Sequence, residues 1–307
     1  MKKFLKFSLF FVLPILVVAI PVEYLLRQVP NPYKYKYEWM QKNAEDVEML
    51  AFGSSHIFSA IRPEFFRDKA FNLANVSQRL KIDLFLLEYW ADRYKKLKTV
   101  ICPVSSFTWF DRGLETGSES YRCRYYKLYM DCDLFPDVFF NNFELSDLRT
   151  AKGKMAKLLF PKTDPGYDEY GWGNTNKLSE KNMVKWNDGT EAETAVKGHT
   201  FKNWDETNSN YEVMKEIANF CKNRNIQLVL ITTPCWHSYY DHLNGEQLAK
   251  MYELTHKIQQ EYNIAYFDYL KDPRFEADDF YDSNHLSDVG AIKFSKILNE
   301  DIRSLER

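Results

Sequence analysis

Ser55 closes the stretch Val47-Glu48-Met49-Leu50-Ala51-Phe52-Gly53-Ser54-Ser55-His56, a short apolar run that breaks at a glycine and delivers two hydroxyls and an imidazole together. The run predicts a strand with its carboxyl end at the glycine, the edge where open α/β sheets hold their sites. Near the far end of the chain, Asp282-Ser283-Asn284-His285 sets a carboxylate and an imidazole three residues apart, ahead of a helical pattern. A serine hydroxyl is a weak nucleophile until a base takes its proton, and the base needs a third group to orient it. The two stretches hold all three parts. Each alone has a plainer reading, a tight turn for Gly-Ser-Ser and a capped, solvated loop for Asp-x-x-His. Their pairing, in this order and with these flanks, favours a site.

The elements that must position these residues alternate. Strands are expected at 47–52, 70–74, 99–104, 226–232 and 264–269, and helices at 83–94, 211–223, 246–262 and 288–305, the last capped by Ser287. Pro63 suits a first helical position. Strands alternating with helices imply an α/β fold, a three-layer arrangement with a parallel five-stranded sheet and helices on both faces. Residues 107–204 interrupt the alternation at a length no simple connection needs. They leave from the end of the third strand, so they are expected to lie over the site as a lid or wall. One helix is expected inside them at 146–159. In Gly166-Tyr-Asp-Glu-Tyr-Gly-Trp-Gly-Asn174, the rings of Tyr167, Tyr170 and Trp172 are either sugar-stacking platforms or pins of an irregular loop. Trp236 and His237, just past the fourth strand, either line the pocket or pack their loop. His56 either meets substrate or hydrogen-bonds within its own turn.

The amino terminus reads as a membrane signal. Lys2, Lys3 and Lys6 precede an apolar run from Phe7 that meets its first charge at Glu23 and continues through Leu26, long enough to cross a bilayer as a helix. Pro14 and Pro21 are expected to kink it. No small-x-small cleavage site follows, so residues 1–28 are read as an uncleaved signal anchor, single-pass in the inner (cytoplasmic) membrane, with the bulk of the chain on the periplasmic side. Residues 29–44, rich in Tyr, Trp, Lys and Pro, read as a juxtamembrane connector, and 45–307 as the domain proper. The net charge of -2 over 307 residues, with no basic stripe, speaks against a nucleic-acid partner. Among the five cysteines, Cys123 and Cys132 are spaced to close a small loop in an oxidising compartment. No Cys/His spacing resembles a zinc site, so neither metal nor cofactor is expected.

Gly53-Ser54-Ser55-His56 together with Asp282-x-x-His285 resembles the first and last signature blocks of the SGNH/GDSL hydrolase superfamily. The likeness is to its membrane-anchored branch, which acts in cell-envelope polysaccharide modification and includes relatives of the D-alanyl transfer protein of teichoic acids. The resemblance implies a flavodoxin-like sheet, with Ser55 as nucleophile, His285 as base and Asp282 as the orienting carboxylate. It also implies a membrane-bound acyltransferase as partner in the transferase case. Two blocks depart from the pattern. Where the family has a glycine amide for the oxyanion, this chain reads Asn72-Leu-Ala-Asn-Val-Ser77, and where it has an asparagine after the third strand, this chain reads Cys102-Pro-Val-Ser-Ser-Phe107. The backbone amide of Ser55 and the backbone or side chain of Asn75 are the candidates left for that role. The expected activity is a serine esterase or O-acyltransferase working on acyl groups, acetyl first, of an envelope polysaccharide. The alternative is a catalytically silent scaffold that binds glycan or serves a membrane assembly, and a purely structural tether ranks below both.

Overall fold

Five short parallel strands in the order β2-β1-β3-β4-β5 form the centre of the molecule. The computed structural model describes residues 2–136, 142–160 and 164–305. In chain order these hold α1 (Lys2–Leu26), α2 (Pro32–Asn43), β1 (Met49–Ala51), α3 (Ser55–Ala60), β2 (Ala70–Asn72), α4 (Leu80–Tyr89) and β3 (Thr99–Pro103). Then come α5 (Cys123–Met130), α6 (Leu148–Leu159), α7 (Met183–Asp188), α8 (Thr190–His199), α9 (Thr207–Asn223), β4 (Gln227–Thr232), α10 (His237–Tyr240), α11 (Gly245–Tyr262), β5 (Ala265–Asp268) and α12 (Asp288–Ser304). This strand order is the doubly wound one in which the chain reverses direction beside β1, and the crevice at that reversal is where such sheets bind ligands.

The strand residues alternate between two cores, as a period of two requires. Leu50, Phe52, Phe71, Leu73, Val100, Cys102, Leu228 and Leu230 point into one, which they share with α2, α4, α9 and α11. Met49, Ala51, Ala70, Ala74, Ile101, Val229 and Ile231 point into the other, against α3 and α12. Covered on both faces, β1 and the middle of β3 and β4 are apolar, which is why their sequence runs continuous rather than alternating, with Thr99, Gln227 and Thr232 only at strand ends.

α1 holds a 20-residue stretch, Phe7–Leu26, long and apolar enough to cross a membrane, and nearly all of it is exposed. Pro14 and Pro21 lie inside this helix without ending it. Residues 29–44 are not an open connector. They form α2, started by Asn31, whose side chain accepts from the Lys34 amide, and by Pro32 in the first turn. Tyr33, Lys36 and Met40 face inward, and Trp39 stacks on Phe71 with ring centroids 3.7 Å apart. The Lys36 amine is fully buried, donates to the Ala74 carbonyl and lies 4.5 Å from the Phe58 ring. A lysine that snorkels inward to a carbonyl reads in sequence like an interfacial one, which is the source of the difference.

The expected helix boundaries shift by a few residues. The helix placed at 146–159 starts at Leu148, because Asp147 and not Ser146 caps it. The helix placed at 83–94 is Leu80–Tyr89 followed by a separate 3-10 turn, and Pro63 opens only a single such turn. All five cysteines, Cys123 and Cys132 included, are buried free thiols. Because Met40 is fully buried against the sheet, Met40→Ala is expected to cost about 2–5 kcal/mol. Glu38→Ala, on the exposed side of α2, is expected to stay within about 0.5 kcal/mol of the parent, both read from denaturant unfolding of the full chain.

Candidate active site

The turn from β1 into α3 needs Gly53. Its φ is +126°, and a Cβ there would sit 2.4 Å from the Pro103 side chain of β3. Only glycine tolerates both conditions. The turn is held from behind by the Asn75 amide, which donates to the Gly53 carbonyl at 3.1 Å, and by Asp83, which accepts from the Gly53 amide. Ser54 then occupies the position before α3 and Ser55 the first helical one, where an amide has no intrahelical acceptor.

The partner block is folded by its own carboxylate. Asp282 Oδ1 accepts from the backbone amides of Asn284, at 3.0 Å, and His285, at 2.8 Å, and both its oxygens lie 2.9 Å from His285 Nδ1. The loop is fastened on two sides, by the Trp236 amide donating to the Ser283 carbonyl at 2.9 Å and by the Tyr281 amide donating to the His285 carbonyl at 3.0 Å. Ser287 caps α12 through the Gly290 amide. These contacts aim His285 Nε2 at Ser55 Oγ, 2.8 Å away across 230 residues of sequence. With Asp282 on Nδ1, the neutral ring carries its proton there and leaves Nε2 as the acceptor for the serine hydroxyl.

Burial works against charge on both partners, but the attraction between them and their hydrogen bonds prevail. His285 is raised above the ordinary imidazole range by the Asp282 carboxylate. Asp282 is lowered by His285 and by the two backbone amides. Two further imidazoles stand close. Burial drives His56 well below the usual range, with the neighbouring His285 and His199 adding to it. A neutral His56 uses Nε2 to accept from Asn284 Nδ2 at 2.9 Å, so its ring braces the residue next to His285. Burial likewise takes His199 down to about 3, and its Nδ1 meets the Tyr239 hydroxyl at 2.7 Å.

The constellation opens into a cavity of about 1050 Å³ lined by Ser54, Ser55, Asp282, Asn284 and His285 on the sheet side. The opposite walls come from the 107–204 interruption, through Phe107, Arg112, Gly113 and a stretch of α8 ending at His199. Ser77, at φ +61°, and Arg79 complete the floor. Arg79 pairs with Asp111 at 2.8 Å. Behind the turn lies a smaller cavity of about 150 Å³, bordered by Gly53, Gln78, Arg79 and Asp83. Burial pushes Asp83 up to about 7, against the opposing pull of Gln78, the Gly53 amide and Arg79.

Several residues expected at the site stand elsewhere. Asn75 is fully buried, spends its backbone N–H on Gly53 and its Nδ2 on Gln78, and is not among the residues lining the cavity. His56 is buried against the His285 ring rather than facing the cavity. Trp236 packs between Trp186 and Phe280, and His237 is exposed at the head of α10. Trp172 is 5 % exposed, donates from its indole to the Ser59 carbonyl at 2.7 Å and lies under Arg62. Its loop instead covers the free edge of β2, where the Asn72 amide donates to the Tyr170 carbonyl, while Tyr167 packs on Tyr35 of α2. The interruption thus divides its work, with one part walling the cavity and the aromatic part closing a sheet edge. Asn284, Arg79 and His199 were not singled out from the sequence. Asn284 lies inside the Asp-x-x-His block, and that position was the one available signal.

Fold and site together define a doubly wound α/β protein with a Ser–His–Asp constellation at the carboxyl edge of its sheet. Residues 148–298 match the model of a protein family of unknown function, DUF1574. The matched stretch holds Asp282 and His285 but stops short of Ser55. No curated protein matches the chain.

A histidine titration followed by NMR is expected to place His285 above about 6.5, and Asp282→Asn to bring it down. Because the folded value is raised, the stability contributed by the His285 charge is whole below about pH 6.5 and is lost as pH rises through that raised value. The Asp282 contribution is whole above about pH 3.9 and is lost as pH falls through its lowered value. Gly53→Ala, whose added Cβ meets Pro103, is expected to lower stability in denaturant unfolding while leaving the His285 value raised, since Asp282 and not Ser55 raises it.

Proposed function

We propose that this chain is a serine esterase or O-acyltransferase, anchored in a membrane by α1, that handles acyl groups of a cell-envelope polysaccharide through an acyl-enzyme. The observation that carries the reading is the 2.8 Å contact from Ser55 Oγ to His285 Nε2 with Asp282 on the other ring nitrogen. Ser55 attacks the acyl carbon and passes its proton to His285 Nε2. The tetrahedral adduct collapses, the sugar oxygen leaves with that proton, and the acyl group stays on Ser55 Oγ. Water or a second sugar hydroxyl, deprotonated by His285, then takes the acyl group and restores the serine. Asp282 stays ionised throughout and stabilises the imidazolium.

The amide of Ser55, without an intrahelical acceptor, is the group suited to the oxyanion, at about 2.7–4 kcal/mol for a well-placed donor. A cavity of about 1050 Å³ whose walls mix apolar side chains with charged and hydroxyl groups has room for a sugar chain. The anchor reading puts the domain outside the cytoplasm, on the inner membrane of an envelope. As a transferase it requires a membrane-bound acyltransferase partner to bring acyl groups across. A non-catalytic, glycan-binding reading draws on a different observation, that Asn75 has committed its amide to Gly53.

A fluorophosphonate separates the two. Adduct formation on Ser55 in the folded full chain, lost in Ser55→Ala and His285→Ala, is expected, whereas an unlabelled, folded parent would sink the enzyme reading. Hydrolysis of an acetyl ester is expected to fall by about 10⁴-fold or more in these variants and by about 10⁴-fold in Asp282→Asn. Its rate is expected to climb with pH through a midpoint above about 6.5, since only the unprotonated His285 accepts the serine proton.

A further inference from the structure

We propose that α6 is an interfacial helix that lies on a bilayer surface and binds anionic lipid headgroups, fixing the domain's orientation over the membrane. The inference rests on the anchor reading of α1 and is independent of the Ser55 chemistry. Its first support is where α6 sits. The α6 helix and the turn before it, residues 144–146, pack against α1 itself. Leu145 shares an apolar groove with Pro14, Ile15, Val18, Ala19 and Val22 of α1. At 1.5 Å per residue those α1 positions lie roughly 6–18 Å short of its carboxyl end, so a bilayer crossed by α1 meets Leu145 at the level of the acyl chains, with α6 leading away from that contact.

The attachment is specific. Glu23 of α1 accepts from the backbone amides of Glu144 and Leu145, both at 3.0 Å, and pairs with Arg27 at 2.7 Å. Arg27 in turn donates to the Asn142 carbonyl at 2.8 Å. These bonds hold α6 alongside the anchor rather than free of it.

The second support is chemical. α6 has its polarity reversed for a helix on a water-facing surface. Its inner side buries Lys154 on the fully buried Glu144, a carboxylate that also accepts from the Tyr129 hydroxyl. Its outer side exposes Leu148 at 76 %, Leu159 at 67 % and, just past its end, Phe160 at 77 %. Between them stand Arg149, Lys152 and Lys157, all exposed, and no acidic residue falls within Leu148–Leu159. Exposed Leu and Phe interleaved with Lys and Arg are costly in water and suited to a headgroup layer, where the rings and branched chains enter the acyl boundary and the cations snorkel to phosphate. Cations of this kind are attracted to an anionic surface within about a Debye length of it.

The full chain, reconstituted in phosphatidylcholine vesicles with and without phosphatidylglycerol, tests this. Leu159→Cys, Leu13→Cys and Val184→Cys are spin-labelled, the native thiols being buried, and accessibility to oxygen and to a nickel chelate is read by EPR. Expected are shielding from nickel with oxygen contact at residues 13 and 159, nickel contact at residue 184 on α7, and stronger shielding at 159 when phosphatidylglycerol is present. Combining Arg149→Glu, Lys152→Glu and Lys157→Glu is expected to abolish that lipid dependence and leave residue 13 shielded. Nickel contact at 159 with 13 shielded overturns the interfacial helix while sparing the anchor, and nickel contact at both overturns anchor and inference together. Equal shielding at 159 in the two vesicles overturns the anionic preference.

Discussion

Gly53 leaves β1 at a backbone angle open to glycine alone, and Pro103 of the neighbouring strand leaves no room for anything larger. Everything at the site follows from that close approach. Because the chain turns there and not a residue later, α3 starts with Ser54 and Ser55 at the sheet edge, and the hydroxyl of Ser55 emerges toward the loop ahead of α12. The polar groups behind the turn, Asn75, Gln78 and Asp83, make little sense as core residues by themselves. They form a chain of hydrogen bonds, Gln78 Nε2 to Asp83 at 2.7 Å and the Tyr126 hydroxyl to Gln78 at 2.9 Å, that closes on the backbone of Gly53. Asn75 Oδ1 is left without a partner, but the remaining bonds tie all three residues to the turn and restrict the geometry it can take.

The surroundings of His285 divide charge unevenly. One imidazole beside Asp282 is drawn toward protonation, and two others within ring contact of each other are kept neutral by burial. Three protonated rings in so small a volume would repel one another, so the arrangement lets only the ring that faces Ser55 change its charge near neutral pH. Asn284 links the two regimes, since it belongs to the Asp282 turn through its backbone and to His56 through its side chain.

What was legible in the chain was what is local or periodic. The Asp282–His285 spacing is a turn that closes on itself, and a reader needs no distant contact to see it. The strands β3 and β4 are continuous apolar runs because both faces are covered. The doubly wound sheet followed from their alternation with helices. The rest depended on partners far along the chain. Trp172 looked like a platform because its type suits one, whereas its place is decided by Ser59 and Arg62, more than a hundred residues earlier. Lys36 and its tyrosines read as an interface because composition does not tell an amine pointing at lipid phosphate from one pointing at the Ala74 carbonyl. Asn75 was a reasonable oxyanion donor by position, and only the bond to Gly53 shows its amide to be spent.

Between the end of α1 at Leu26 and the start of α2 at Pro32 the chain has little slack. The residues there are themselves tied down, with Gln28 and Val29 bonded back into the last turn of α1 and Lys34 reaching the Arg27 carbonyl. α2 is then wedged into the core by Met40 and Lys36. With α1 as the anchor proposed above, such a mount acts as a bracket and not a leash: it sets one height for the mouth of the cavity and permits little swivel. A polysaccharide substrate of the kind proposed above would then be threaded past that fixed station, and the stretch of it within reach would be dictated by its own distance from the lipid.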